Sequence, residues 1–137
     1  MAFNIEDNRA EVHAALNSAV MRALERSGLL VEGEAKENLE HNHSVDTGNL
    51  VNSVAHKVVD GEQTVYVGTP VEYGVYVELG TGKYATTGGR PTPWVYQDSK
   101  GNWHHTHGQR AKPFLKPAIT DSVNSIRNII KDELENA

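Results

Sequence analysis

The stretch Val65-Tyr66-Val67-Gly68-Thr69-Pro70-Val71-Glu72-Tyr73-Gly74-Val75-Tyr76-Val77-Glu78-Leu79-Gly80-Thr81-Gly82 decides how the rest of the chain is read. Apolar alternation runs up to Gly68 and breaks there. From Tyr73 the repeat lengthens to three and four residues, through Tyr76, Val77 and Gly80. Alternation predicts a strand, the longer step predicts one or two helical turns, and Gly80 sits where a helix C-cap needs a glycine. No nucleophile with a neighbouring base lies in the stretch.

Just upstream, Val54 to Val59 has strand propensity, Asp60-Gly61 is a turn signal, and Gln63 to Gly68 is the returning strand of an antiparallel pair. Asp46 or Thr47 reads as the N-cap of a short helix through Val51 and Ser53. Further back, Leu16, Val20, Ala23, Ser27, Leu30, Val31, Ala35 and Leu39 line one face of a long helix over residues 7 to about 40. Asp7 or Asn8 can cap its start. Gly28 and Gly33 each cost a helix about 1 kcal/mol relative to alanine, which predicts a bend or break near Ser27-Gly28.

Downstream, Thr86-Thr87-Gly88-Gly89-Arg90-Pro91 approaches a second hairpin. Its arms are Pro93-Trp94-Val95-Tyr96-Gln97 and Asn102-Trp103-His104-His105-Thr106-His107, around Asp98-Ser99-Lys100-Gly101. Aromatics outnumber aliphatics there, so this ribbon cannot build its own core and must fold back or dock on a neighbour. After Pro113 and Pro117 a last helix is expected to reach the end, with Ile119, Val123, Ile126, Ile130 and Leu134 as its buried face.

The whole fits one domain, 1–137, with residues from about 86 to 110 as a hairpin extension. The chain is 38% hydrophobic and 23% charged, an ordinary globular balance. A net charge of −5 argues against a nucleic-acid coat, which carries a basic stripe. No apolar run approaches the roughly 20 residues of a membrane span, and the first residues lack the pattern of a secretory signal. With no cysteine, the scaffold must hold by packing alone, which is compatible with a reducing cytoplasm.

Three motifs carry a family resemblance: Asp46-Thr47-Gly48-x-Leu50-x-x-Ser53; Val67-Gly68-Thr69 followed by Tyr73, Tyr76, Glu78 and Gly80-Thr81-Gly82; and Ala111-Lys112-Pro113-Phe114-Leu115-x-Pro117-Ala118. In this order, over roughly residues 10 to 130, they resemble the head–tail joining or tail-completion (neck) proteins of long-tailed bacteriophages and prophages. The resemblance implies an α+β fold, a small antiparallel sheet packed by a long N-terminal helix and a C-terminal helix. It implies a structural protein of the virion neck, made in the bacterial host cytoplasm and without catalytic residues or cofactor. Copies would form a ring, six-fold as is usual for neck components, between the portal-side adaptor and the tail tube or tail terminator. The isolated chain can be monomeric until a template organises it.

For such a ring the candidate contacts are Trp94, Tyr96 and Trp103 of the ribbon, with the exposed side of the N-terminal helix as the opposing surface. Aromatic side chains commonly anchor interfaces. Glu78 reads either as a solvated carboxylate or as a partner for Arg110 or Lys112 across a subunit boundary. The alternative chemistry is a small zinc-binding protein or hydrolase using His104, His105 and His107. On a strand His105 and His107 share a face with Trp103 while His104 points away, so a tetrahedral site would need help from His41 or His43. Asp46-Thr47-Gly48 is the triplet of aspartic proteases but follows a polar helix end, so Asp46 reads as a cap. Gly80-Thr81-Gly82-Lys83 fails the phosphate-loop spacing at Val77 and Tyr84.

Overall fold

The structure, a computed structural model, describes residues 2–42, 47–86, 88–98 and 100–137. It is α+β. Helix α1 (Arg9–Asn42) is followed by α2 (Thr47–Ser53), β1 (Ala55–Val59), β2 (Thr64–Gly68) and α3 (Tyr73–Leu79). Then come β3 (Trp94–Gln97), β4 (Trp103–Thr106), α4 (Leu115–Thr120) and α5 (Val123–Glu135). The strands form two separate antiparallel pairs rather than one sheet, β1 with β2 from Ala55↔Gly68 to Val59↔Thr64, and β3 with β4 from Trp94↔Thr106 to Gln97↔Trp103.

α1 is the spine, 34 residues and so about 51 Å long. It runs unbroken through Gly28, where a break was expected. The reason for the glycine is tertiary. A Cβ there would lie 2.6 Å from Val65 Cγ2 and 2.7 Å from His56 Cδ2, so the β1–β2 hairpin crosses the helix at the one place with no side chain. Gly33, by contrast, has open space where its Cβ would be. The buried stripe of α1 is Ala19, Ala23, Ser27, Gly28, Val31, Ala35 and Leu39. Its first half is small, which lets neighbours approach closely, and its second half faces the main core. Asp7 accepts a hydrogen bond from the Arg9 N–H at 3.2 Å, and Asn8 C=O from the Val12 N–H at 3.1 Å, so the helix starts where expected. The Asp46 cap and the Asp46 end of its triplet lie outside the described residues.

The core gathers Val31, Ala35 and Leu39 of α1 around Leu50, Val54, Phe114 and Ala118, with Val67, Tyr73, Val77 and Ile126 packed at its margin. The turn between β1 and β2 falls at Asp60-Gly61, as expected. Residues Asp60–Glu62 make a 3-10 turn and Gln63 takes the left-handed conformation, φ 49°.

The C-terminal segment differs most. It is two helices broken at Asp121-Ser122, and no residue of α5 is buried. Ile119, Val123, Ile130 and Leu134, expected to be its buried face, are about half exposed, and Ile126 is only partly covered. α5 lies antiparallel to α1, held by Arg22 Nε to Glu133 at 2.8 Å and by Arg26 to Asp132 and Glu133 at 2.9 and 3.0 Å. Such exposed pairs contribute only about 0–1 kcal/mol each. α5 ends near the level of residues 19–22 of α1. The turns of α1 before Ala19 are exposed, with Gln63 of the β1–β2 turn reaching Asn17 at 3.5 Å.

Candidate functional site

The three sequence motifs, far apart in the chain, meet in one hub. Ser53 and Thr69 share a hydroxyl hydrogen bond at 2.6 Å, and Thr69 Oγ1 also accepts the Val71 N–H at 3.1 Å. Leu50 and Phe114 are fully buried against each other's cluster. Gly74 brings α3 in over them, since a Cβ would sit 3.2 Å from Leu50 Cδ1. Asn38 donates to the Phe114 carbonyl at 3.1 Å, fastening the third motif to α1.

From sequence Glu78 reads as a solvated carboxylate or as a partner for Arg110 or Lys112 across a subunit boundary; within the chain its half-buried carboxylate has other partners. It accepts the backbone N–H groups of Phe114 at 2.7 Å, Leu115 at 3.0 Å and Lys116 at 2.9 Å, and so caps the start of α4. Free N–H groups at a helix start need such an acceptor, and a carboxylate is favoured there. The partners stand 36 to 38 residues away, so no local signal could have shown them. Lys112 is fixed through its backbone, N–H to Val77 O at 2.7 Å and C=O to Asn42 Nδ2 at 3.1 Å. The Arg110 guanidinium stacks on Tyr84, 4.6 Å from the ring centre, with Lys83 at 5.0 Å.

A second unforeseen group clamps β1 onto α1. His56 faces Glu25 through Nε2 at 2.7 Å and Glu32 through Nδ1 at 3.1 Å, with its side chain only 12% exposed. The bond to Glu25 raises the imidazole above its usual range, against the opposing effect of burial. Burial pushes the Glu32 carboxyl up, but His56 and Lys36 outweigh it and hold it below its usual value.

The β3–β4 ribbon stands apart from the core. Trp94 and Tyr96 lie on one face with His104, whose ring stacks on Tyr96 at 5.2 Å. Trp103 lies on the other face with Val95 and His105, and is 69% exposed. Both faces therefore carry aromatics; Tyr96 is 45% exposed, while Trp94 is half-buried with the Arg90 guanidinium 5.5 Å from its ring centre. At the tip Asp98 Oδ1 accepts the N–H groups of Lys100 and Asn102, and Oδ2 meets His104 Nε2 at 2.7 Å. At the root three glycines replace side chains. Backbone passes so near backbone that a Cβ on Gly82, Gly89 or Gly108 would collide with the facing carbonyl. Thr81 and Lys83 N–H groups bond to Gln109 O and His107 O there, at 2.9 and 3.2 Å.

The histidines do not converge. His104 is engaged by Asp98, His105 and His107 meet edge-to-face at 5.3 Å, and His41 contacts Glu37 on α1. His43 lies outside the described residues. Among the described residues no three His, Asp or Glu side chains are grouped to hold a metal ion, and no helix is long and apolar enough to cross a membrane.

Of the residues marked from sequence, the structure places Trp94, Tyr96 and Trp103 together on one projecting element and puts Glu78 in the hub, away from them. It adds two uncovered apolar surfaces that periodicity had assigned to the core or left unremarked: the outer face of α5, and the first turns of α1 with the segment before them. No curated protein and no solved structure matches the chain significantly. A family model described as "Bacteriophage HK97-gp10, putative tail-component" matches residues 4–80, which takes in the first motif and the second as far as Gly80, and stops before the third.

Proposed function

The chain belongs to the HK97-gp10-like family of bacteriophage tail components, and on that premise we propose that it is a structural, non-catalytic part of the virion neck. In this reading copies form a ring between the portal-side adaptor and the tail tube, joining head to tail or completing the tail. One observation carries it. A ribbon with aromatic side chains on both faces leaves Tyr96 and Trp103 exposed to water, on a root of close backbone contacts at Gly82, Gly89 and Gly108. A two-stranded ribbon gains little stability alone, whereas exposed Trp and Tyr on a fixed arm suit an interface made with another subunit.

The test is double. Trp94→Ala and Trp103→Ala proteins are expected to melt within a few degrees of the parent. Phage carrying them should accumulate filled heads and separate tails, counted by electron microscopy. Normal yields of joined particles from both variants would remove the ribbon from the assembly interface.

A further inference from the structure

We propose that the overhanging N-terminal segment of one copy, residues 3 to 16, docks on the uncovered face of α5 and the cleft beneath it in the next copy, head to tail. This rests on the reading of the chain as a self-assembling neck subunit. The receiving side is well defined. Along α5 the apolar stripe Ile126, Ile130 and Leu134 is left open, with Ile130 and Leu134 each 42% exposed. Where α5 leans on α1 and β2, a cleft of ≈ 220 Å³ opens between Ala23, Ser27, Val31, Val67, Ile126 and Ile130. Ser27 is the one polar residue among those lining it, and its Oγ is buried with no hydrogen-bond partner among the described residues.

The inserting side is equally unpaired. Val12 and Leu16 continue the stripe that Ala19 and Ala23 bury further on, but here nothing covers them. Ahead of the helix, Phe3 and Ile5 are 83% and 80% exposed. Apolar groups in this density on one projecting segment mark a contact rather than ordinary surface.

The N-terminal segment cannot fill the cleft of its own chain. From Arg9 to Ser27 the helix axis covers about 27 Å, and about 33 Å to Val31. The residues back to Phe3, fully extended, span about 20 Å. The segment therefore falls short of the middle of its own cleft, and the rigid helix between them cannot bend back. A neighbouring copy has no such restriction. Charge leans the same way: Glu6 and Glu11 remain on the overhang beside the Asp7–Arg9 pair, while Arg127 and Lys131, the latter 3.9 Å from Glu135, flank Ile130 and Leu134 on α5. Inserting and receiving surfaces differ, so the contact is head-to-tail and propagates to a ring if the rotation closes.

The absence of native cysteine makes the test direct. Full-length Leu16→Cys and Leu134→Cys proteins, both changed at exposed positions, are mixed and oxidised. A 16–134 disulfide between the two variants is expected as the main product. Leu16→Glu in an otherwise unchanged chain should weaken self-association by roughly thirtyfold or more in sedimentation, as loss of an interface anchor does, with its melting temperature kept. Products linked only 134 to 134 would show α5 pairing with itself and overturn the proposal, as would no cross-link at all. Electron microscopy of the same samples separates the two readings. Closed rings lacking the 16–134 link would sink this contact and leave the ring reading standing. A 16–134 link in particles that never close would do the reverse.

Discussion

The two hairpins of this chain have strands of similar length and opposite fates. β1–β2 lies across α1 at Gly28, its His56 gripped between Glu25 and Glu32, with Val67 at the margin of the core. β3–β4 has the same antiparallel pairing and larger side chains, yet it joins the body at its glycine root and leaves Val95, Tyr96 and Trp103 exposed. Pairing alone does not decide whether a ribbon belongs to the fold; a helix to lie on does. The first ribbon serves the chain's own stability, and the second is the one proposed above to be covered by another subunit.

The contrast is sharpest for one pair of aromatic truncations. Phe114→Ala, in the hub, should cost about 3–5 kcal/mol in urea unfolding. Trp103→Ala, on the second ribbon, should cost less than about 0.5 kcal/mol although it removes more atoms. Comparable losses would mean that the second ribbon is part of the core after all.

The next largest effect lies at the crossing of the first ribbon. Gly28→Ala must displace Val65 or the His56 ring, and overpacking of that kind costs about 1–3 kcal/mol, more than alanine's helix preference returns. Gly33→Ala, with open space at its Cβ, should instead stabilise by about 1 kcal/mol. Thermal melts of the two variants should shift in opposite directions. A shared sign would break the claim that the ribbon rests on Gly28.

The smallest effect is in pH. The folded His56 titrates above the 6.5 of the unfolded chain, so its contribution is complete below pH 6.5 and fades as pH rises through the raised folded value. Glu32 is held below 4.5, so its contribution is present above pH 4.5 and is lost on further acidification. Stability from this clamp should therefore be greatest between about pH 4.5 and 6.5. His56→Gln should flatten the decline above pH 6.5 in denaturant titrations. An unchanged profile in that variant would show that the clamp does not hold the ribbon.

Much of the frame was legible because its causes are local. Alternation up to Gly68, the helical step after Tyr73 and the φ of 78° at Gly80 all fall within a few residues of the signals that specify them. Gly28 was misread as a weak point because its reason lies in His56 and Val65, two elements later. The cap that Glu78 provides was not legible because the N–H groups it accepts belong to a segment more than thirty residues on. α5 shows a different limit. Its stripe has the same period whether the cover comes from this chain or from another, so periodicity identified the apolar face and not who buries it. The ribbon was found, but that its aromatics divide between two faces and both remain open followed only from the register.

The root of the second ribbon has a consequence for how such a part changes over time. Gly82, Gly89 and Gly108 fix the angle at which the arm leaves the body, while Tyr96 and Trp103 nearer its tip are exposed. A lineage can rewrite that tip to suit a new neighbour, as one swaps the bit of a tool and keeps the chuck.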